Sequence, residues 1–323
     1  MSGNPIILPF IYVIGGLVAL AWSADRFVAG AGALARSMGV SVLLVGIVVV
    51  GFGTSAPELL VSANAAWQGN PGLAVGNALG SNIANVALVL GVAALAAPLA
   101  IRSRILWQEV PFTLVSMLVV GAALYDLVLD RTESVLMLCF LGLFLVVLVV
   151  RGHRERGDAL GKELEHVIPA TEPVGRSVFW TVIGLVVLLI SSHILVVGAV
   201  AIAHVFNISE LVIGLTIVAI GTSLPEAAAA LASARRNEPD IAIGNVLGSN
   251  TFNMFGVVGI AGTVHPSAVE SAAVYRDWPV MITLFALFIL LAWAYRRITR
   301  LHGLLFLAGY AAYLAYVGSS VPG

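Results

Sequence analysis

Residues 53–93 recur at residues 221–261, 168 positions later and without a gap. The first copy reads GTSAPELLVSANAAWQGNPGLAVGNALGSNIANVALVLGVA, and the second GTSLPEAAAALASARRNEPDIAIGNVLGSNTFNMFGVVGIA. Eighteen of the 41 columns are identical, and Gly, Pro, Glu, Asn, Ser and Thr dominate the matches. Chance alignment of two apolar stretches would favour Leu and Val instead. The same shift sets Gly46 on Gly214, and Glu109-Val-Pro111 on Asp277-Trp-Pro279. The chain is one unit used twice, so the nature of that unit decides the fold.

The unit is a set of membrane spans. Charged residues make up 10% of the 323, against roughly 25% in soluble domains. Mean hydropathy is +1.03. So little charge cannot cover a soluble surface of this size, which excludes an ordinary cytosolic enzyme. A bilayer-spanning helix needs about 20 apolar residues. Polar punctuation separates ten candidates: Pro5–Ala33, Val40–Trp67, Gly72–Ala97, Leu106–Leu124, Ser134–Val150, Ser177–His204, Ser209–Ala234, Asp240–Thr263, Trp278–Tyr295 and Leu301–Val317. The start, MSGNPIILPF, lacks a basic n-region and reads as the first span rather than a signal peptide. Cys139 stands alone in an apolar run, so no intrachain disulfide forms and a small buried hydrophobe is expected.

Loop charge sets the orientation. With the N-terminus outside, the inside loops hold thirteen Lys and Arg and the outside loops only Arg131 and Arg276, while Arg26 lies within the first span. The longest polar connection, Arg151–Arg176, falls inside and divides the chain into five spans and five. An odd number of spans per unit forces the second copy to enter from the opposite side. The expected fold is therefore an all-α integral membrane protein. It has ten transmembrane helices as two inverted five-helix repeats, with both termini outside. Residues 1–150 form the first repeat, 151–176 a cytoplasmic loop and 177–323 the second repeat. Seventeen acids against sixteen bases exclude a polybasic nucleic-acid binder.

Glu58 and Glu226 fall near the middle of the second and seventh spans, and only Asp25 competes as a deeply placed acid. A carboxylate at mid-bilayer is costly and marks a cavity or a partner, yet no Lys or Arg is placed nearby. Pro57 and Pro225 precede the two acids. Each removes the helical donor to the carbonyl four residues earlier, at Gly53 and Gly221. Within a membrane such groups must find protein, water or an ion. Gly51, Gly53 and Gly221 permit the bend, and Thr54, Ser55, Thr222 and Ser223 add hydroxyls. In the third and eighth spans Asn77, Ser81 and Asn85, and likewise Asn245, Ser249 and Asn253, are spaced along one helical face. Gly76/Gly80 and Gly244/Gly248 are small-xxx-small pairs suited to close packing. Assembled about a two-fold axis, these parts make a weakly acidic, all-oxygen cage suited to hard cations such as Ca²⁺ or Na⁺. Two carboxylates neutralise one Ca²⁺ or two Na⁺. A site that holds one load at a time, between inverted repeats, implies exchange.

The motifs GTSAPE…GNALGSNIAN and GTSLPE…GNVLGSNTFN resemble the two alpha-repeats of the sodium/calcium exchanger family, within the calcium/cation antiporter superfamily. The resemblance covers the chain from first to last span, places the repeats at about 46–95 and 214–263, and is nearest to compact prokaryotic members. It implies a core of the second, third, seventh and eighth spans, with the first and sixth as a long, tilted gating pair. The Arg151–Arg176 loop leaves no space for the cytosolic calcium-sensing domains of animal members. Carried over by motif, Glu58 and Glu226 would be the central Ca²⁺ ligands, shared with Na⁺. Thr54 and Thr222 would lend backbone carbonyls to Ca²⁺. Ser55, Ser223, Ser81 and Ser249, with the carbonyls of Gly51 and Ala219, would complete flanking Na⁺ sites. Asn85 and Asn253 would line the centre. Some members carry Asp where this chain has Asn253, so this cage has two acids rather than three.

The function expected is Na⁺/Ca²⁺ antiport by alternating access, an electrogenic extrusion of Ca²⁺ and not an enzymatic reaction. Ca²⁺ and Na⁺ are substrates, no cofactor is expected, and the setting is the cell (cytoplasmic) membrane, with a monomer the expected state. Ca²⁺/H⁺ or K⁺-linked antiport is the nearest rival, and a cation channel is a more distant one. An intramembrane metalloenzyme lacks support, since no H-E-x-x-H or other His-rich ligand set occurs. Gly15, Gly16, Gly30, Gly32, Gly184 and Gly198 serve either the gating motion or ordinary packing. Asp25 and its repeat mate His193 are expected near helix ends, where snorkelling suffices, and His204 and His265 in loops or at the interface. Trp67, Trp107, Trp278 and Tyr295 fit interfacial anchoring.

Overall fold

The computed structural model describes residues 7–38, 41–69, 71–154, 173–205 and 219–319. Almost all of them are helical, because an apolar surround offers backbone groups no partner but their own chain. The helices are α1 (Ile7–Met38), the bent pair α2 (Val42–Thr54) and α3 (Ala56–Trp67), α4 (Pro71–Ala96), α5 (Ser103–Ala123), α6 (Arg131–Arg154) and α7 (Val174–Val205). There follow α8 (Ala219–Thr222), α9 (Leu224–Arg235), α10 (Pro239–Thr251), α11 (Val258–Val264), α12 (Ala273–Tyr295) and α13 (Arg300–Ser319). A π-helical stretch, Phe252–Val257, joins α10 to α11. Among the described residues seven helices are long and apolar enough to cross a membrane, or eight if α2–α3 counts as one span. The run from α10 through α11 is long enough as well. Asn245, Ser249, Asn250, Thr251 and Asn253 lower its hydropathy, and all five are buried.

The layering follows burial. The most apolar window of α4 is 78% buried and those of α1 and α7 only 22%. α4 and α10 therefore form the centre, and α1 and α7 expose Ile14, Val18, Val186 and Ile190 at the periphery. α1 and α7 cross each other antiparallel, with glycines at the contacts. Gly16 meets Leu195 and Gly184 meets Phe27, while Gly30 meets Ser177 and Thr181 and Gly198 meets Pro9 and Val13. Each contact is the image of another under the 168-residue shift. Four of the six singled-out glycines thus sit at the crossing, whereas Gly15 faces open space and Gly32 the side chains of Arg36 and Ile241. α10 lies as tightly on α2: Gly244 and Gly248 face the backbone of Leu43 and Ile47, and Gly46 faces that of Ile241. The equivalent neighbours of Gly76 and Gly80 would be residues 211–215, outside the described residues.

Two short antiparallel ladders tie the connections together: β1 (Leu99–Ala100) with β4 (Arg297–Ile298), and β2 (Val128–Leu129) with β3 (Ser267–Ala268). Leu127 and Arg296 precede β2 and β4 at φ 64° and 54°, and their carbonyls accept from Val269 N and Ile101 N at 2.8 Å each. Ladders of two residues leave no alternating pattern, and the hydropathy reading did not contain them.

Several single-residue expectations change. Asp25 and His193 lie well inside α1 and α7, not near their ends. Asp25 takes a bidentate pair from Arg236 at 2.6 and 2.7 Å, so an ion pair rather than snorkelling accounts for it. Cys139 is exposed on α6 rather than buried, within the stretch Val135–Val150 whose exposed residues are all apolar. Trp278 packs into the α5–α12 interface, over Gly121, and donates to Met117 O at 3.0 Å, so it is not a free anchor. Trp67, Trp107 and Tyr295 are exposed near helix ends, and His265 follows α11. The His204 side chain and residues 155–172 of the long loop lie outside the described residues.

A Cβ at position 184 would sit 2.7 Å from the Phe27 backbone, so neither helix can yield without moving the other. Gly184→Val is expected to cost about 1–3 kcal/mol, seen as a lower melting temperature in detergent. Gly15→Val, with nothing within 4 Å of its Cβ, should melt as the unmodified protein does.

Candidate cation site

The two broken helices are built alike. α2 stops at Ser55 (φ −81°, ψ 4°) and α8 at Ser223 (φ −89°, ψ 4°), and each restarts on the next residue. α2 and α3 meet at 45°. Pro57 and Pro225 occupy the first turn of the restarted helices, where a missing N–H costs nothing. The break therefore falls at the serines rather than at Gly53 and Gly221. The Gly221 carbonyl is held by protein, accepting from Ser192 Oγ of α7 at 3.1 Å.

This geometry puts Glu58 and Glu226 in the first turn of α3 and α9. A helix N-terminus carries roughly half a positive charge, which offsets part of the cost of burying each carboxylate. Both acids are 1% exposed and repel each other. Neither forms an ion pair with Lys or Arg among the described residues. Ser55 Oγ donates to Glu226 Oε1 at 3.1 Å across the two halves.

Asn77 and Asn245 pin the backbones of those acids. Asn77 Nδ2 donates to Glu58 O at 3.4 Å and to Ser62 Oγ at 3.0 Å, and Asn245 Nδ2 donates to Glu226 O at 3.1 Å. Asn245 Oδ1 accepts from Thr54 Oγ1 at 3.1 Å. Ser249 Oγ donates to Gly51 O at 3.1 Å, so this serine and this carbonyl are side by side as the motif implied. Ser81 is buried on α4, Thr222 closes α8 and Ala219 opens it.

Among the described residues, five of the eight buried side-chain oxygens without a hydrogen-bond partner lie on these residues: Glu58 Oε2, Glu226 Oε2, Ser223 Oγ, Asn85 Oδ1 and Asn253 Oδ1. Each such group costs about 1–3 kcal/mol if nothing meets it. Several oxygens of this kind on two acids, two amides and a hydroxyl suit a hard cation. The helices are also irregular there. π-helical stretches cover Gly46–Gly51, Asn85–Val89 and Phe252–Val257, and such bulges are frequent at functional sites. Asn82 and Asn250 were not among the residues drawn from the motifs, although GSN is identical in both copies. They are buried, and they hold Asn253 and Asn85 at 3.0 and 3.1 Å.

The sequence matches the family described as sodium/calcium exchanger protein over residues 8–150 and 176–318. It is 44% identical over 314 residues to the putative antiporter CaxA of Alkalimonas amylolytica, covering 96% of this chain and 98% of that one. It is 28% identical over 343 residues to the sodium/calcium exchanger MaX1 of Methanosarcina acetivorans, covering 96% and 98%. The fold superposes on the solved structure of the sodium-calcium exchanger NCX_Mj with a TM-score of 0.83 at 33% identity, covering 96% of this chain and 98% of the other. This multi-pass membrane protein is an antiporter rather than an enzyme, and it belongs to the sodium/calcium exchanger family.

Proposed function

We propose that the chain exchanges Na⁺ for Ca²⁺ across the cytoplasmic membrane by alternating access, with Na⁺ entry driving electrogenic Ca²⁺ extrusion. The observation that carries this reading is the pair of carboxylates, each with an unpartnered buried oxygen and no basic partner among the described residues. Two negative charges balance one Ca²⁺, and the same two are shared when Na⁺ replaces it. More than two Na⁺ per Ca²⁺ would make each cycle move charge. In this assignment Glu58 and Glu226 bind either ion, and Asn85 and Asn253 line the centre. The carbonyls of Thr54 and Thr222 serve Ca²⁺. Ser55, Ser81, Ser223 and Ser249, with the carbonyls of Gly51 and Ala219, serve flanking Na⁺. The ions are cargo, and no resident cofactor enters the scheme.

The architecture proposed is ten spans in two inverted repeats with both termini outside. The α1–α7 glycine contacts that map onto each other support it. So do the turns at Gly69 and Asn237, both at positive φ and 168 residues apart. The ladders fit as well: β1–β4 joins two connections on the proposed inner face, and β2–β3 joins two on the outer face. α1 and α7 would slide on the core. Two ion pairs, Arg236 with Asp25 and Arg36 with Glu238 at 2.7 Å, fasten α1 to the α9–α10 turn on the inner side. Opening inward requires both to part.

Proteoliposomes loaded with Na⁺ and diluted into Na⁺-free, Ca²⁺-containing medium should take up Ca²⁺, faster with a membrane potential that favours net charge movement. Uptake driven by a pH gradient alone would transfer the reading to Ca²⁺/H⁺ antiport. Arms with Li⁺ and K⁺ fix the coupling ion. Glu58→Gln and Glu226→Gln should each bring uptake down to that of protein-free vesicles, and activity retained in both would overturn the site. For orientation, Cys139→Ser provides the background. Asp126→Cys should then react with an impermeant thiol reagent from outside and Glu238→Cys only from inside.

A further inference from the structure

Four amides lie between α4 and the α10–α11 helix, all of them at most 1% exposed. They pair crosswise between the two halves. Asn253 Nδ2 donates to Asn82 Oδ1 at 3.0 Å, and Asn85 Nδ2 donates to Asn250 Oδ1 at 3.1 Å. Under the 168-residue shift Asn82 becomes Asn250 and Asn85 becomes Asn253, so each pair is the image of the other. We propose that Asn82 and Asn250 are positioning residues, each fixing which end of the opposite half's site amide faces the cation.

The reason lies in the symmetry of an amide. Rotation about χ2 is broad and roughly two-fold, so a half-turn exchanges oxygen for NH₂ in nearly the same space. Oxygen toward the site attracts a cation, and NH₂ repels it. A hydrogen bond taken from Nδ2 on the far side decides between the two. For Asn253 that choice descends from an atom that cannot turn. The backbone carbonyl of Asn250 accepts from Asn82 Nδ2 at 3.1 Å. Asn82 Oδ1 must then face Asn253, Asn253 must offer Nδ2, and its Oδ1 is left for the site, where it has no protein partner. In the other pair the Asn250 Nδ2 is itself without a partner. Nothing on the backbone locks that pair, so Asn85 is held by one hydrogen bond where Asn253 is held by two in series. Asn82 is accordingly the stronger determinant.

This inference rests on the assignment of Asn85 and Asn253 to the cation site, and the test separates the two. In the Na⁺-gradient assay Asn82→Ala should raise the KM for Ca²⁺ about tenfold, the scale on which groups that orient metal ligands act. Asn250→Ala should raise it by less. The melting temperature in detergent is measured alongside. In a double-mutant cycle Asn82→Ala should add nothing to the KM of Asn253→Ala, yet should multiply with Asn85→Ala. A merely structural role would lower the melting temperature and multiply with both. Unchanged KM in Asn82→Ala, while Asn253→Ala shifts it, overturns the positioning role alone. Unchanged KM in both Asn85→Ala and Asn253→Ala overturns the site assignment and this inference with it. If Asn82→Ala does not fold, the mirror cycle of Asn250→Ala with Asn85→Ala decides by the same criteria.

Discussion

Two carboxylates buried without a basic partner are the constraint on which the rest of this fold depends. A lone acid at that depth is unfavourable by several kcal/mol, and two of them repel as well. Breaking α2–α3 and α8–α9 at serines turns two half-helix N-termini toward the acids. Their partial charges stabilise the carboxylates without neutralising them. A Lys or Arg would neutralise them fully, but it would occupy the place of an exchangeable ion. In the scheme proposed, the arrangement holds negative charge at the centre and leaves its balance to mobile cations.

Holding broken helices at that depth requires close packing around them. α10 can satisfy the polar groups of α2 because Gly244 and Gly248 bring the two backbones into contact. Asn77 and Asn245 then reach the carbonyls of Glu58 and Glu226 from the neighbouring helix. Many of these hydrogen bonds run from one half of the chain to the other: Ser55 to Glu226, Thr54 to Asn245, Ser249 to Gly51, and the crossed asparagines. The halves cannot form their polar centre separately, so the duplicated unit is complete only when paired.

Legibility tracked duplication and hydropathy. Glu58, Glu226 and the hydroxyls beside them stood out because identical polar columns rarely arise by chance in two apolar stretches. The long outer helices were plain from hydropathy, and polar punctuation also marked off the α10–α11 run as Asp240–Thr263, although its buried asparagines lower its hydropathy. Features created by tertiary contact left no such trace. The Arg236–Asp25 pair joins residues 211 apart and has no counterpart in the other copy, where the positions are Gln68 and His193. Ser192 meets Gly221 from another helix, and its mate in the first copy is Ala24. Cys139 and Trp278 were misplaced because an apolar run does not say which of its residues face outward. Asn82 and Asn250 carried the duplication signal, but their role depends on hydrogen-bond direction, which spacing does not contain.

The departures from symmetry bear on the transport cycle. At the candidate site the two halves carry the same polar residue types, so residue identity there gives little reason to prefer one access state. At the helix ends they differ. The turn after α9 carries Arg236 and Glu238, paired to Asp25 and Arg36 of α1. The shifted positions hold Gln68, Asn70, His193 and His204, which offer no acid to set against a base. Partly exposed pairs of this kind contribute about 0–1 kcal/mol each and weaken with salt. In the alternating-access scheme proposed, a bias of that size would tilt the equilibrium between two otherwise similar states without freezing it. An exchanger needs that balance, because both states must be visited in every cycle.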